Sequence, residues 1–298
     1  SNSDVLLAKK LLEDEDAQVR LATFLSLAEM QPQADAGAAV YAALKEPRNV
    51  DDRWIVDAAT SAAAAHDAAF IKTMLTETEA AGKDLVGKLG KVIRRVATHY
   101  AGRGVEDNIV STLSLLKGAD PDVSTAVLDG LLEGWPSNGS PTLSEKEKEQ
   151  LESVMNALPE LVRDRLLALC SGWKVEGLFA GRLESSVASL RSQVADLNAS
   201  EEARASAAKR WVFLQDTPEV ADEILTHVTL LATPTLSSKL INALSESRSD
   251  AIGGVILKHW AAFTPAVRRA VVGVLLRRST WTLAMLDAIQ EKTIERTD

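Results

Sequence analysis

The chain has 298 residues, of which 46% are hydrophobic, 25% are charged and only 4% are aromatic. This composition is typical of a globular protein with a substantial core. The formal net charge of −9 disfavours binding to a phosphate backbone, and no run of 18 apolar residues is present that could span a membrane. We therefore expect no nucleic-acid partner and no membrane span.

A helical pattern begins at the N-terminal end and returns along the chain. Asp16 is followed by a Val19-Arg20 step, and Phe24 and Leu25 continue an apolar stripe at helical spacing. Capping residues such as Asp16 satisfy amide groups that the first helical turn leaves free. We call the helices with this pattern inner helices. They are predicted to start near Ala17, Asp52, Asp84, Asp120, Pro159, Ser200, Pro234 and Thr264.

The spacing of this pattern indicates repeats. The positions that align with Val19 in later copies are Val123, Val162, Ala203, Leu236 and Val267, which are 39, 41, 33 and 31 residues apart. Unequal periods of this size are typical of HEAT-type repeats, which run about 40 residues. The sequence therefore predicts an all-α fold, an armadillo-like HEAT α-solenoid in which about seven helix pairs form a right-handed superhelix.

One segment interrupts the pattern. Residues 135–143 are rich in Pro, Gly and Ser, which is typical of a loop. We expect N-terminal repeats in 1–134 and C-terminal repeats in 144–298, joined as one continuous solenoid. Immediately after this loop, Ser144 and Glu147 have the spacing of a capping box.

The residues that usually carry chemistry are scattered. The four histidines lack partners at i+3 or i+4, and Cys170 is the only cysteine and lies in an apolar stretch. Gly87 and Gly90 lack the spacing of a phosphate loop and are interpreted as close helix packing. We therefore expect no catalytic residue, no metal site and no cofactor, and a protein that is not an enzyme.

Arginines and tryptophans divide into structural and exposed candidates. Arginines that open inner helices beside acidic or polar caps are predicted to hold successive repeats together; they are Arg20, Arg204 and Arg268. The six tryptophans are expected mainly in the core. A candidate interaction surface is formed by one basic doublet and by two tryptophans that end their helices and are expected to be partly exposed: Arg94, Arg95, Trp135 and Trp173.

Two stretches resemble one bacterial multidomain family. The sharper resemblance is in 257–287, which includes Leu257-Lys-His-Trp-Ala-Ala-Phe-Thr-Pro and Val272-Gly-Val-Leu-Leu-Arg-Arg-Ser-Thr-Trp, and the other is in 11–22. In that family a sugar-dehydrogenase-like β-propeller comes first, a HEAT-like helical segment follows, and a haem-binding cytochrome c domain closes the chain. The resemblance implies a spacer in an exported, periplasmic protein, although no targeting signal is present in this sequence. The chain has no Cys-x-x-Cys-His motif, so the resemblance assigns it no haem.

These observations favour a non-catalytic scaffold for protein–protein interaction. Its expected partners are flanking domains of a parent polypeptide or another protein, and neither the partner nor the oligomeric state can be assigned from the sequence. The alternative is a nucleic-acid-binding HEAT-like protein of the DNA-repair glycosylase type, which needs a basic groove, an exposed aromatic residue and a carboxylate. A lyase-type or small-molecule-binding HEAT enzyme would need a deep polar pocket.

Overall fold

The computed structural model describes residues 8–77, 83–104, 108–136, 139–173, 175, 177–229 and 231–294. Throughout these ranges the regular structure is helical and includes no β-strand, which confirms the predicted all-α, solenoid-like class. Contacts divide the chain into two compact units, Ser1–Leu178 and Phe179–Asp298. Within the same ranges, no helix is both long and apolar enough to cross a membrane.

The helices are short and follow one another closely. Residues 8–12 are helical ahead of α1. The first unit then contains α1 (Ala17–Ala28), α2 (Ala34–Leu44), α3 (Pro47–Val50), α4 (Arg53–Ala65), α5 (Asp67–Thr76), α6 (Lys83–Gly102), α7 (Ile109–Ser114), α8 (Pro121–Gly134), α9 (Glu145–Ala157) and α10 (Glu160–Gly172). The second unit contains α11 (Ala180–Ala195), α12 (Glu201–Leu214), α13 (Pro218–Thr226), α14 (Pro234–Ala243), α15 (Ala251–Lys258), α16 (Pro265–Leu275) and α17 (Ser279–Gln290).

Within each unit the helices form two layers. In the first unit the A layer is α1, α4, α6, α8 and α10, and the B layer is α2, α5, α7 with the 3-10 turn Leu115–Lys117, and α9. In the second unit the A layer is α11, α12, α14 and α16, and the B layer is α13, α15 and α17. Each helix packs on the next one of its own layer, as expected for stacked helix pairs.

The helix starts predicted from the sequence agree closely with the observed starts of the A-layer helices. Apart from α11, every A-layer helix begins within one residue of a predicted start. The Asp16 carboxylate accepts the Gln18 amide at 2.8 Å, and the Ser144–Glu147 capping box forms as predicted. These local hydrogen bonds fix helix starts because they satisfy backbone donors that no preceding turn can reach.

The 135–143 loop lies inside the first unit, since the division between the units follows Leu178. The Trp135 indole N–H donates to the Gly139 carbonyl at 3.0 Å. The Ser140 hydroxyl donates to the carbonyl of Trp173 at the end of α10. The described part of this loop is therefore held together by one internal hydrogen bond and attached to the end of α10 by another.

Polar contacts join residues that are about one repeat apart. Arg20 Nε donates to Asn49 Oδ1 at 2.8 Å over a separation of 29 residues. Arg165 Nε donates to Asp129 Oδ1 at 2.8 Å over 36 residues. In the second unit, the Trp281 indole N–H donates to the Ser249 carbonyl at 3.1 Å over 32 residues. This recurring separation shows that the helical pattern in the sequence corresponds to a repeated unit of packing.

Two glycines allow a close approach between the A-layer helices α6 and α8. A Cβ atom built on Gly130 of α8 would lie 2.3 Å from the Arg94 carbonyl oxygen of α6, and one on Gly134 would lie 2.1 Å from the Thr98 carbonyl oxygen. Gly87 has open space around it, and so has Gly90. The interpretation of Gly87 and Gly90 as close-packing residues is therefore wrong, and that role falls to α8.

We expect Gly130→Ala to destabilise the protein by about 1–3 kcal/mol, because the added methyl group forces α6 and α8 apart. Gly87→Ala is the matched control. It lies in a helix with free space around it, so it should stabilise by roughly 0.5–1 kcal/mol through the higher helix propensity of Ala. Urea denaturation followed by circular dichroism measures both changes. Equal effects of the two substitutions would contradict the assigned contact.

His66 connects two B-layer helices at their N-terminal ends. Its Nδ1 accepts the Gln33 amide at 3.0 Å, and its Nε2 lies 3.0 Å from the Leu27 carbonyl oxygen. This arrangement assigns the neutral tautomer with the proton on Nε2. Burial of the ring lowers the pKa of His66 below its ordinary value of about 6.5.

The lowered pKa makes folding sensitive to acid. Below about pH 6.5 the unfolded chain binds a proton at His66 that the folded protein resists, so the stabilising contribution is present above that pH and is lost as the pH falls. We expect the wild type to lose more stability between pH 7 and pH 5 than His66→Gln, by at most about 1.4 kcal/mol per pH unit. Thermal unfolding at several pH values tests this. Identical pH profiles for the two proteins would refute it.

Candidate interaction surface

A cleft opens between two neighbouring A-layer helices of the first unit. Its volume is about 670 Å³, and it is lined by Arg53, Asp57, Thr60, Ser61, Ala64 and Arg95. All but Arg95 come from α4, at positions spaced by three or four residues, and Arg95 comes from α6. We call this space the α4–α6 cleft. Helical spacing places its α4 residues along one face, opposite the buried alanines Ala58 and Ala62.

The cleft carries two arginines outside the ion-pair pattern of the layer. Among the described residues, neither Arg53 nor Arg95 has a carboxylate oxygen within 4 Å. Their neighbour Arg94 is different, because its Nε lies 2.7 Å from Glu133 Oε2 of α8. The sequence-predicted doublet is thus divided: Arg94 joins two repeats, whereas Arg95 faces the cleft.

The edge of the cleft carries an exposed aromatic side chain. Trp54 is 69% exposed, and the guanidinium carbon of Arg53 lies 5.5 Å from the centre of its ring. Trp54 is the second residue of α4 and lies at the margin of the buried face, which includes Ile55 and Ala58. The expectation that this tryptophan is part of the core is therefore wrong. Trp211, Trp260 and Trp281 are buried as expected.

The two tryptophans proposed as an interaction surface pack against each other. The ring centres of Trp135 and Trp173 lie 5.3 Å apart with an angle of 39° between the planes. Trp173 is fully buried and Trp135 is partly buried. The prediction that Trp173 is partly exposed is wrong, because Trp135 and the loop at Ser140 cover the end of α10.

The three arginines predicted to hold repeats together lie at junctions between helices. The guanidinium of Arg20 donates to Asn49 and to the carbonyls of Asp14 and Glu15 at 2.8–2.9 Å. The Nε of Arg204 donates at 2.8 Å to the Val194 carbonyl in α11. Both side chains are buried.

Arg268 makes a different contact. Its guanidinium carbon lies 5.3 Å from the ring centre of Trp260, which precedes α16 in the chain. A cation over an indole face is attracted by the electron density of the ring. All three predicted arginines therefore make contacts within the helical framework, and none lines the α4–α6 cleft.

The described residues offer no assembled metal site. No three His, Cys, Asp or Glu side chains in those ranges are grouped as metal ligands. Cys170 is buried, and burial raises the pKa of its thiol. His99 contacts a carboxylate, with Nδ1 at 3.1 Å from Asp67 Oδ2.

Comparison with known proteins adds no assignment. No family model matches the sequence, and a search of curated proteins gives no match.

We expect Arg20→Ala to destabilise the protein by about 2–3 kcal/mol, since it removes hydrogen bonds from a charged donor and leaves the buried Asn49 side chain short of a donor. The matched control is Arg269→Ala, at an exposed position of α16, which should change stability by no more than about 0.5 kcal/mol. Chemical denaturation provides the comparison. An Arg20→Ala protein as stable as the control would show that Arg20 does not hold the repeats together.

Proposed function

We propose that the chain is a non-catalytic scaffold of helical repeats whose α4–α6 cleft binds an acidic segment of a partner protein. The observation that carries this proposal is the presence of Arg53 and Arg95, without ion pairs among the described residues, beside the exposed Trp54. Arginine and tryptophan are the residue types that most often dominate binding at protein interfaces.

The local charge supports an acidic partner. The cleft contains two guanidinium groups and one carboxylate, Asp57. Lys91 lies one turn before Arg95 on the exposed side of α6 and adds a further positive charge. A positive patch of this kind, in a chain of net charge −9, favours a partner of complementary charge and increases the rate at which it associates.

A second candidate function is binding to nucleic acid, as in HEAT-like DNA-repair glycosylases. The features that favour it are the exposed Trp54, the carboxylate of Asp57 and the two cleft arginines. Duplex DNA usually requires several neutralised phosphates for useful affinity. The adjacent A-layer helix α8 instead presents Asp129 and Glu133, which are paired with basic residues. Acidic side chains therefore lie on the helix next to the two cleft arginines, and this supports a short acidic segment over a long polyanion.

We further propose a wider setting on the basis of the family resemblance. In that setting the chain is a spacer between a dehydrogenase-like domain and a cytochrome c domain in an exported bacterial protein. Its partners would then be flanking domains of the same polypeptide or another protein. The scaffold proposal also predicts that the chain by itself holds no cofactor and catalyses no reaction.

The binding proposal predicts a charge-specific complex. The probes are two fluorescein-labelled decapeptides that are identical except that one has four glutamates where the other has four glutamines. We expect fluorescence anisotropy to show tighter binding of the glutamate peptide and weakening by added salt. The double variant Arg53→Gln/Arg95→Gln should bind about tenfold more weakly, whereas Arg269→Gln should bind like the wild type.

Two outcomes would overturn this proposal. Equal binding of both peptides would remove the argument from charge, and an unchanged affinity in the double variant would place binding elsewhere. A duplex oligonucleotide is titrated in parallel. A salt-sensitive, sub-micromolar complex that is lost in the same double variant would favour the nucleic-acid alternative, and release of bases from alkylated DNA that stops in Asp57→Asn would establish glycosylase chemistry.

A further inference from the structure

A second cavity, separate from the α4–α6 cleft, lies in the B layer of the first unit. Its volume is about 490 Å³, and it lies between the start of α2 and one face of α5. Its apolar wall includes Pro32, Ala34, Ala68 and Ala69, and its polar wall includes Lys72, Thr73, Thr76 and Arg103. A volume in the range of roughly 300–1,000 Å³ with an apolar wall and a few polar groups is typical of small-molecule sites.

Arg103 is held in place by a buried carboxylate. Its Nη2 lies 2.7 Å from Asp67 Oδ1, and the Asp67 side chain is only 1% exposed. The other oxygen of Asp67 is 3.1 Å from His99 Nδ1, and the Ala68 amide donates to Asp67 Oδ1 at 2.7 Å. The guanidinium is thus fixed at the wall of the cavity, with its charge balanced by Asp67, while its side chain stays 41% exposed.

Lys72 supplies a charge that is not balanced in this way. It is exposed on α5, and among the described residues its ammonium group has neither a hydrogen bond nor a carboxylate oxygen within 4 Å. Lys72 and Arg103 line the same cavity. With Arg103 neutralised by Asp67, the cavity wall carries an excess of one positive charge, which suits an anion with a single negative charge.

Two of the remaining polar side chains of the lining, His66 and Thr76, already have hydrogen-bond partners. Both ring nitrogens of His66 have backbone partners, and the Thr76 hydroxyl donates to the Lys72 carbonyl at 2.8 Å. An apolar ligand body placed against Pro32, Ala34 and Ala69 would therefore leave the buried ring of His66 with both of its hydrogen-bond partners.

We propose that this cavity binds a small organic monocarboxylate with an apolar body. The carboxylate lies near Lys72 and accepts hydrogen bonds from Lys72 and Arg103, while the body covers the alanine wall. Carboxylate recognition by a fixed guanidinium and an ammonium is a strong, charge-assisted interaction. This site is independent of the proposed scaffold function, since its residues are distinct from those of the α4–α6 cleft.

The test uses the full chain and simple probes. Benzoate and hexanoate are titrated in the millimolar range, with benzyl alcohol as the uncharged equivalent of benzoate and inorganic phosphate as the other anion. Amide chemical shifts in nuclear magnetic resonance spectra report binding at Ala34, Ala68 and Ala69. We expect saturable shifts with both carboxylates, much weaker shifts with benzyl alcohol and none with phosphate.

Three variants locate the site. Lys72→Met should weaken carboxylate binding by about tenfold, and Ala68→Phe, at an exposed position of the cavity wall, should block it by filling the space. Lys258→Met removes an equivalent exposed lysine from the second unit and should have no effect. Equal binding of benzyl alcohol, preferential binding of phosphate, or unchanged affinity in Lys72→Met and Ala68→Phe would each overturn the proposal.

Discussion

Contact between consecutive helices of the same layer is the constraint on which this protein depends. A single helix pair cannot bury its own apolar face, so each pair is stable only when it is packed against the next. In this chain the contact has an apolar part and a polar part. Gly130 lets the backbones of α6 and α8 come together, and hydrogen bonds such as that between Arg20 and Asn49 fix the position of one repeat on the next.

The same constraint determines which charges remain available for binding. Ionic groups at the junctions between repeats are largely consumed by each other, as in the pairs Arg165–Asp129 and Lys239–Glu202. Exposed pairs of this kind contribute little to stability, because solvent screens the attraction between their charges. Their main consequence here is that they neutralise the surface of a layer. A cation that faces a cavity and has no carboxylate partner among the described residues is therefore informative about function, and Arg95 and Lys72 are cations of this kind.

The sequence predicted the helix starts well because caps act locally. A side chain such as Asp16 or Ser144 bonds to amides two or three residues away, so the signal is contained in a few consecutive residues. The all-α class and the repeated pairing followed from the spacing of such signals. The sequence also identified Arg95 as a candidate surface residue, and the structure places it in the α4–α6 cleft.

The sequence-based predictions were wrong where the burial of a residue depends on which face of its helix packs against a neighbouring helix. Leu25 belongs to the apolar stripe of α1 but is 50% exposed, because the buried face of α1 is centred on Phe24 and Leu27. Trp54 is exposed for the same reason, and Gly130 was overlooked because its role requires knowledge of the facing α6 backbone. A helical wheel of α4 places Arg53 opposite the buried Ala62 and Trp54 at the margin of the buried face. This marginal position is the signal that would have indicated an exposed aromatic residue.

The B-layer cavity could not be predicted from the sequence, because the residues of its polar wall are about one repeat apart in the chain. Asp67 and Arg103 are 36 residues apart, and their contact at 2.7 Å depends on the packing of α5 beside the end of α6. This contact also limits what a ligand can do. An anion that displaced Arg103 from Asp67 would leave a buried carboxylate without its main counter-charge, at a cost that a small ligand cannot offset. A ligand must therefore bind to Arg103 while Asp67 keeps its place, so differences in affinity between anions arise mainly from Lys72 and from the fit of the apolar body.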